Sequence, residues 1–120
     1  MSFQDFVKRA YYQYYFEFNI STEKMSDWVK PLGLFNVVRG LVIKALSLRY
    51  NLISVEIRDK GNADELVLKY DEDIEVKILT PLIGDIAVHI SSKNNAYVEH
   101  VKETIFAELN RIIKKEGEEQ

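Results

Sequence analysis

Hydrophobic and polar residues alternate in the second half of the chain, in short runs rich in β-branched side chains. The runs cover residues 52–58, 66–70, 74–79 and 86–91. In the first run, Ile53, Val55 and Ile57 alternate with polar residues. The breaks between the runs contain Asp, Asn, Gly and Pro, which favour turns. This pattern predicts an antiparallel meander with one buried face and one wet face.

The hydrophobic period changes after Asn95, where a long helix is predicted. Apolar residues recur at steps of three and four from Asn95 to about residue 116, namely Val98, Val101, Ile105, Leu109 and Ile112. Glu103 falls on the opposite side of this stripe, as in an amphipathic helix. Asn94 or Asn95 can cap the start, and Gly117 can end the helix.

The first segment, residues 3–20, fits two structures. Apolar residues at helical spacing compete with an alternating aromatic pattern over residues 11–20. Tyrosine and phenylalanine suit a pleated surface better than a helix interior. We therefore predict a strand over residues 11–20, with a helical lead-in over residues 3–9.

Residues 22–50 contain two further predicted elements. We predict a short helix over residues 22–29. It must end before Pro31, because the α region is unfavourable for the residue that precedes a proline. Residues 37–50 carry both a helical stripe and many β-branched residues. We predict a strand there, because a glycine inside a helix, here Gly40, costs about 1 kcal/mol. The sheet would then have about six strands.

Residues 16–28, which read FEFNISTEKMSDW, form an alternating strand that runs into a capped helix with a tryptophan in its second turn. This segment resembles the entry of the helix-grip fold of the START-like superfamily. The resemblance extends over about residues 10–115. It implies an α+β fold in which a curved antiparallel sheet wraps the long C-terminal helix around an apolar cavity. The family usually has another small helix and another strand, so this shorter chain implies a smaller cavity.

Composition narrows the class of protein. The chain has 120 residues, 47% hydrophobic and 29% charged, as expected for one globular domain over residues 1–115 with a disordered tail at 116–120. The net charge is -3 and the basic residues are scattered, which argues against nucleic acid as a partner. No run approaches the roughly 20 apolar residues of a membrane span, so we expect a cytoplasmic protein. The absence of cysteine excludes disulfides, thiolate zinc sites and a cysteine nucleophile.

The polar residues do not form a recognisable catalytic set. His89 shares a strand face with Asp85 and could act as an acid or base, but a solvent-facing position is favoured. The acidic residues 71–73 lack the glycine and distal glutamate of a calcium loop and are typical of a solvated turn. We expect no enzyme activity, no metal and no cofactor.

Two functions remain open. The resemblance implies a non-enzymatic binding protein that encloses an apolar or lipid-like small molecule between the sheet and the last helix. The candidate ligand-binding residues are Trp28, His89, Val101, Ile105, Phe106 and Leu109. Alternatively, the tyrosine-rich N-terminal strand, with Tyr11 and Tyr15 outside the core, acts in protein–protein interaction or homodimer assembly.

Overall fold

The computed structural model describes residues 14–81 and 84–113, and five antiparallel strands form one sheet within them. The strands are β1 (Tyr14–Ser21), β2 (Leu52–Asp59), β3 (Ala63–Tyr70), β4 (Glu75–Pro81) and β5 (Asp85–Ser92). Their order across the sheet is β1-β5-β4-β3-β2. The predicted α+β class with an antiparallel meander is confirmed, but the described strands number five rather than six.

Two α-helices accompany the sheet in the described residues, α1 (Leu34–Ser47) and α2 (Asn95–Asn110). The predicted capping of α2 is confirmed, because the side chain of Asn94 accepts a hydrogen bond from the backbone N–H of Ala96 at 2.8 Å. The helix ends at Asn110, six residues before the predicted end. Beyond it, Ile113 pairs with Met25 in an isolated antiparallel bridge.

The strand prediction for residues 37–50 is wrong, because residues 34–47 are helical. The helical stripe prevails because it buries Val38, Val42 and Leu46 almost completely on one side. Gly40 lies on the exposed side, where its missing side chain costs no packing. A helix here also removes one strand from the meander on which the helix-grip comparison relied.

The predicted short helix over residues 22–29 is also wrong. These residues form turns and the isolated bridge at Met25. The backbone N–H of Ser26 donates to the carbonyl of Ile112 at 2.7 Å, so the segment is tied to the chain after α2. A positive φ of 87° at Gly33 then redirects the chain into α1.

The hydrophobic core lies between one face of the sheet and the two helices. The predicted stripe of α2 is buried, with Val98, Val101, Ile105 and Leu109 at most 1% exposed. Ile86, Val88 and Ile90 of β5 meet this core, as the alternation predicts. The other face of the sheet carries no helix within the described residues.

The prediction that Ile53, Val55 and Ile57 form a buried face is wrong. Every residue of β2 is exposed, and these three side chains are 69%, 44% and 48% exposed. The physical reason is position, because β2 lies at one edge of the sheet while α2 packs against β5 and β1 at the other. The predictions for residues 3–9, 11–13 and 114–120 fall outside the described residues.

Candidate functional site

An apolar cleft of about 290 Å³ opens between β1 and α2. Its lining residues are Phe16, Phe18, Asn19, Lys102, Glu103 and Phe106. Phe16 and Phe18 occupy alternate positions of β1, so both side chains point to the face on which α2 packs. Phe106 follows the fully buried Ile105 and is therefore turned away from the core, with 50% of its side chain exposed.

The three phenylalanine rings of the cleft contact one another in a row. The centroids of Phe16 and Phe18 are 6.0 Å apart, and those of Phe18 and Phe106 are also 6.0 Å apart. Both pairs are tilted, an arrangement within the attractive range for aromatic rings. Ring surface contributed by both β1 and α2 is therefore exposed to solvent at one place.

Charged groups border these rings. Lys102 Nζ lies 4.5 Å from the ring centroid of Phe16, in the range of a cation–π contact. The same nitrogen donates to Glu99 Oε2 at 2.8 Å, which holds the lysine in place. Glu103 adds a carboxylate to the lining. The cleft therefore combines an apolar floor with one cation and one anion at its rim.

The structure brings only one of the predicted ligand-binding residues into this cleft, Phe106. Val101, Ile105 and Leu109 are fully buried and pack in the core instead. Trp28 is 47% exposed in the turn region before α1 and does not line the cleft. The interior between the sheet and α2 is thus filled by these side chains, and open space occurs at the margin of the helix.

His89 lies on the opposite face of the sheet, on which no helix of the described residues packs. Its Nε2 is 3.6 Å from Glu17 Oε1, and its ring stacks on Tyr15 with centroids 5.1 Å apart. The sequence suggested Asp85 as its acidic neighbour, whereas the strand pairing of β1 with β5 supplies Glu17. On the other side of β5, Lys77 of β4 is the residue paired directly with His89. A second cleft, of about 270 Å³, opens on this face, and its charged lining residues include Glu17, Glu65 and Lys77.

The acidic turn at residues 71–73 is satisfied by protein groups. The carboxylate of Asp71 accepts hydrogen bonds from the backbone and side chain of Asn51, at 3.2 and 3.1 Å. Lys93 Nζ is 2.7 Å from Asp73 Oδ2. Within the described residues, no group of three or more potential ligands from His, Asp or Glu is placed to hold a metal ion.

Sequence reasoning missed Phe16, Phe18 and Lys102 as members of one site. The alternation of aromatic residues placed Phe16 and Phe18 on one face, but nothing in the local pattern indicated that β1 pairs with β5 and lies beside α2. Lys102 sits next to Val101 of the helical stripe, so its closeness to an aromatic strand depends on the same tertiary contact.

Comparison with protein-family models, with curated proteins and with solved structures gives no match for this chain. The resemblance of residues 16–28 to the START-like superfamily therefore stays a prediction. Neither helix of the described residues has the length and apolar character that crossing a bilayer requires.

Proposed function

We propose that this domain is a non-enzymatic binding protein that holds an apolar small molecule in the cleft between β1 and α2. The observation that carries the proposal is the convergence of Phe16, Phe18 and Phe106, which leaves Phe106 half-exposed beside two other rings. Covering such surface is favourable by about 25 cal/mol per Å² of apolar area. A ligand that fits against the row of rings would gain this free energy.

The size and lining of the cleft favour a small ligand. Its volume of about 290 Å³ is near the lower end of the range for small-molecule sites, roughly 300–1,000 Å³. Such sites are mainly apolar with a few polar groups that orient the ligand, a role that Lys102 and Glu103 fit. The ligand would lie at the side of α2, because the space beneath the helix is occupied by Val101, Ile105 and Leu109.

A fluorescent apolar probe, anilinonaphthalene sulfonate, tests the cleft directly. The folded protein should bind it with saturable fluorescence enhancement at one site. Phe106→Ser should weaken binding roughly tenfold, equivalent to about 1.4 kcal/mol, because one wall of the ring row is lost. Native mass spectrometry of the purified protein would reveal a ligand carried over from the host cell.

Leu48→Ser is the matched control, because Leu48 is 85% exposed just after α1 and does not line the cleft. It should leave probe binding unchanged. Thermal melts of both variants establish that each is folded. Equal binding by the Phe106 variant and the wild type, or equal loss in both variants, would rule out this cleft as the binding site.

A further inference from the structure

The β2 strand is a sheet edge without cover. It pairs with β3 on one side, and no strand in the described part of the chain pairs with its outer side. All eight of its residues are exposed, including Ile53, Val55 and Ile57. An alternating apolar strand with an open edge presents unpaired N–H and C=O groups together with apolar side chains, and it is a template for pairing with another strand.

We infer that β2 pairs antiparallel with β2 of a second copy of this chain, around a two-fold axis that passes through Ile57. The two five-stranded sheets would then form one continuous sheet, with the helices of both copies on the same face. This interface is independent of the proposed small-molecule site, which lies beside β1 at the opposite end of the sheet.

Symmetry limits the register of such a pair. In an isologous arrangement around an axis perpendicular to the sheet, each residue must face a residue whose side chain points to the same side. The axis must therefore pass through a residue position, and the central positions of β2 are Val55, Glu56 and Ile57. An axis at Glu56 would place two carboxylates directly opposite each other, which is unfavourable.

Charge complementarity favours the axis at Ile57. There, Glu56 of each copy faces Arg58 of the other, so both cross-strand pairs are oppositely charged. Within one chain, Arg58 already contacts Glu56 at 2.9 Å and Glu65 at 3.3 Å. The dimer would extend these contacts into an alternating set of charges across the seam. An axis at Val55 would instead place Glu56 opposite Ser54 and form no such pair.

The other face of the seam would be apolar at its centre. Ile57 would meet its own symmetry copy, and Val55 would lie diagonal to the Ile57 of the second chain, within reach of a cross-strand contact. Asp59 would face Val55, but its carboxylate is engaged by the backbone N–H of Gly61 at 2.8 Å. The half-exposed side chains of Val55 and Ile57 would thereby be covered.

The β1 edge is a weaker candidate for the same contact. Tyr15 stacks on His89 in its own sheet, and Phe16 and Phe18 line the cleft beside α2. Its side chains thus have partners within the chain. Tyr14, 52% exposed, provides a matched position for comparison with Ile57.

Sedimentation equilibrium over a wide concentration range tests the inference. The wild type should show a monomer–dimer equilibrium, and Ile57→Lys should weaken it about tenfold or more by placing a charge at the centre of the seam. Tyr14→Lys, the matched change at the other edge, should leave the equilibrium unchanged. A wild type that stays monomeric at hundreds of micromolar, or a dimer lost only with Tyr14→Lys, would overturn the inference.

Charge reversal tests the register. Glu56→Arg alone would place like charges opposite each other and should weaken the dimer, while Glu56→Arg combined with Arg58→Glu should restore it. Failure of the double variant to recover would overturn the axis at Ile57. The residues changed in these two experiments, Tyr14, Glu56, Ile57 and Arg58, are all exposed. Thermal melts show whether each variant keeps its fold.

Discussion

The hydroxyl oxygen of Tyr50 lies 2.6 Å from Nδ1 of His100, and this contact joins the chain after α1 to the middle of α2. Arg49 Nη1 lies 3.2 Å from the other ring nitrogen, Nε2. A guanidinium group can only donate, so Nε2 is the acceptor. The proton of the neutral imidazole is then on Nδ1 and is donated to the Tyr50 oxygen. His100 is half-buried.

Removal of this hydrogen bond should lower stability measurably. We expect Tyr50→Phe to reduce the free energy of unfolding by about 0.5–1.5 kcal/mol, since the ring packing remains and one hydrogen bond is lost. The measurement is a double-mutant cycle with His100→Ala in urea unfolding. Additive effects of the two changes would mean that the two residues do not interact energetically.

Alkaline pH should destabilise the domain through Tyr50 and Tyr70. Burial raises the pKa of both phenols above the ordinary value of 10.0. The folded state therefore favours the neutral phenols more than the unfolded state does. This contribution is fully present below about pH 10 and is lost as the pH rises through the raised pKa values, because the unfolded chain releases these protons first.

Urea unfolding at a series of pH values should show the loss of stability above about pH 10. The double variant with Tyr50→Phe and Tyr70→Phe lacks both phenols but keeps all other titrating groups. Its free energy of unfolding should therefore fall less steeply with pH than that of the wild type. Parallel curves for wild type and variant would contradict the assignment to these tyrosines.

The centre of the buried α2 stripe should not tolerate a charge. Ile105 is fully buried, and Ile105→Asp should unfold the domain, because an unpaired buried carboxylate costs several kcal/mol of a typical stability of about 5–15 kcal/mol. Glu103→Ala, on the exposed side, should change stability by less than about 0.5 kcal/mol. Circular dichroism melts compare the two, and near-wild-type melting of both would contradict the role of α2 in the core.

Two glycines at the start and middle of α1 should respond in opposite ways to alanine. Gly40 is exposed and a Cβ there meets nothing within 4 Å, so Gly40→Ala should stabilise by up to about 1 kcal/mol. Gly33 has a φ of 87°, where a side chain is strained, so Gly33→Ala should destabilise by about 1 kcal/mol or more. Thermal melts measure both, and a shift in the same direction would contradict this account.

The sequence predicted elements best where the hydrophobic period was unambiguous. The four strands of the second half and the α2 stripe were correct because turn residues and period limit each of them locally. The prediction for residues 37–50 is wrong because their β-branched residues and Gly40 favour a strand, although their apolar residues also recur at steps of three and four. Once the helix packs on the core, burial of Val38, Val42 and Leu46 outweighs the cost of one exposed glycine.

Local spacing and turn chemistry are enough to predict an α+β domain with an antiparallel meander and a helix that buries one stripe. That β1 and β2 are the two edges of the described sheet depends on how the strands pair in three dimensions. Alternation in β2 is as regular as in β4, yet Ile57 is 48% exposed and Ile78 is fully buried. The reason is that a strand's pattern states which side chains share a face, whereas burial requires another element to cover that face. The cleft beside Phe106 has the same origin, because it exists only where the β1 edge meets the side of α2.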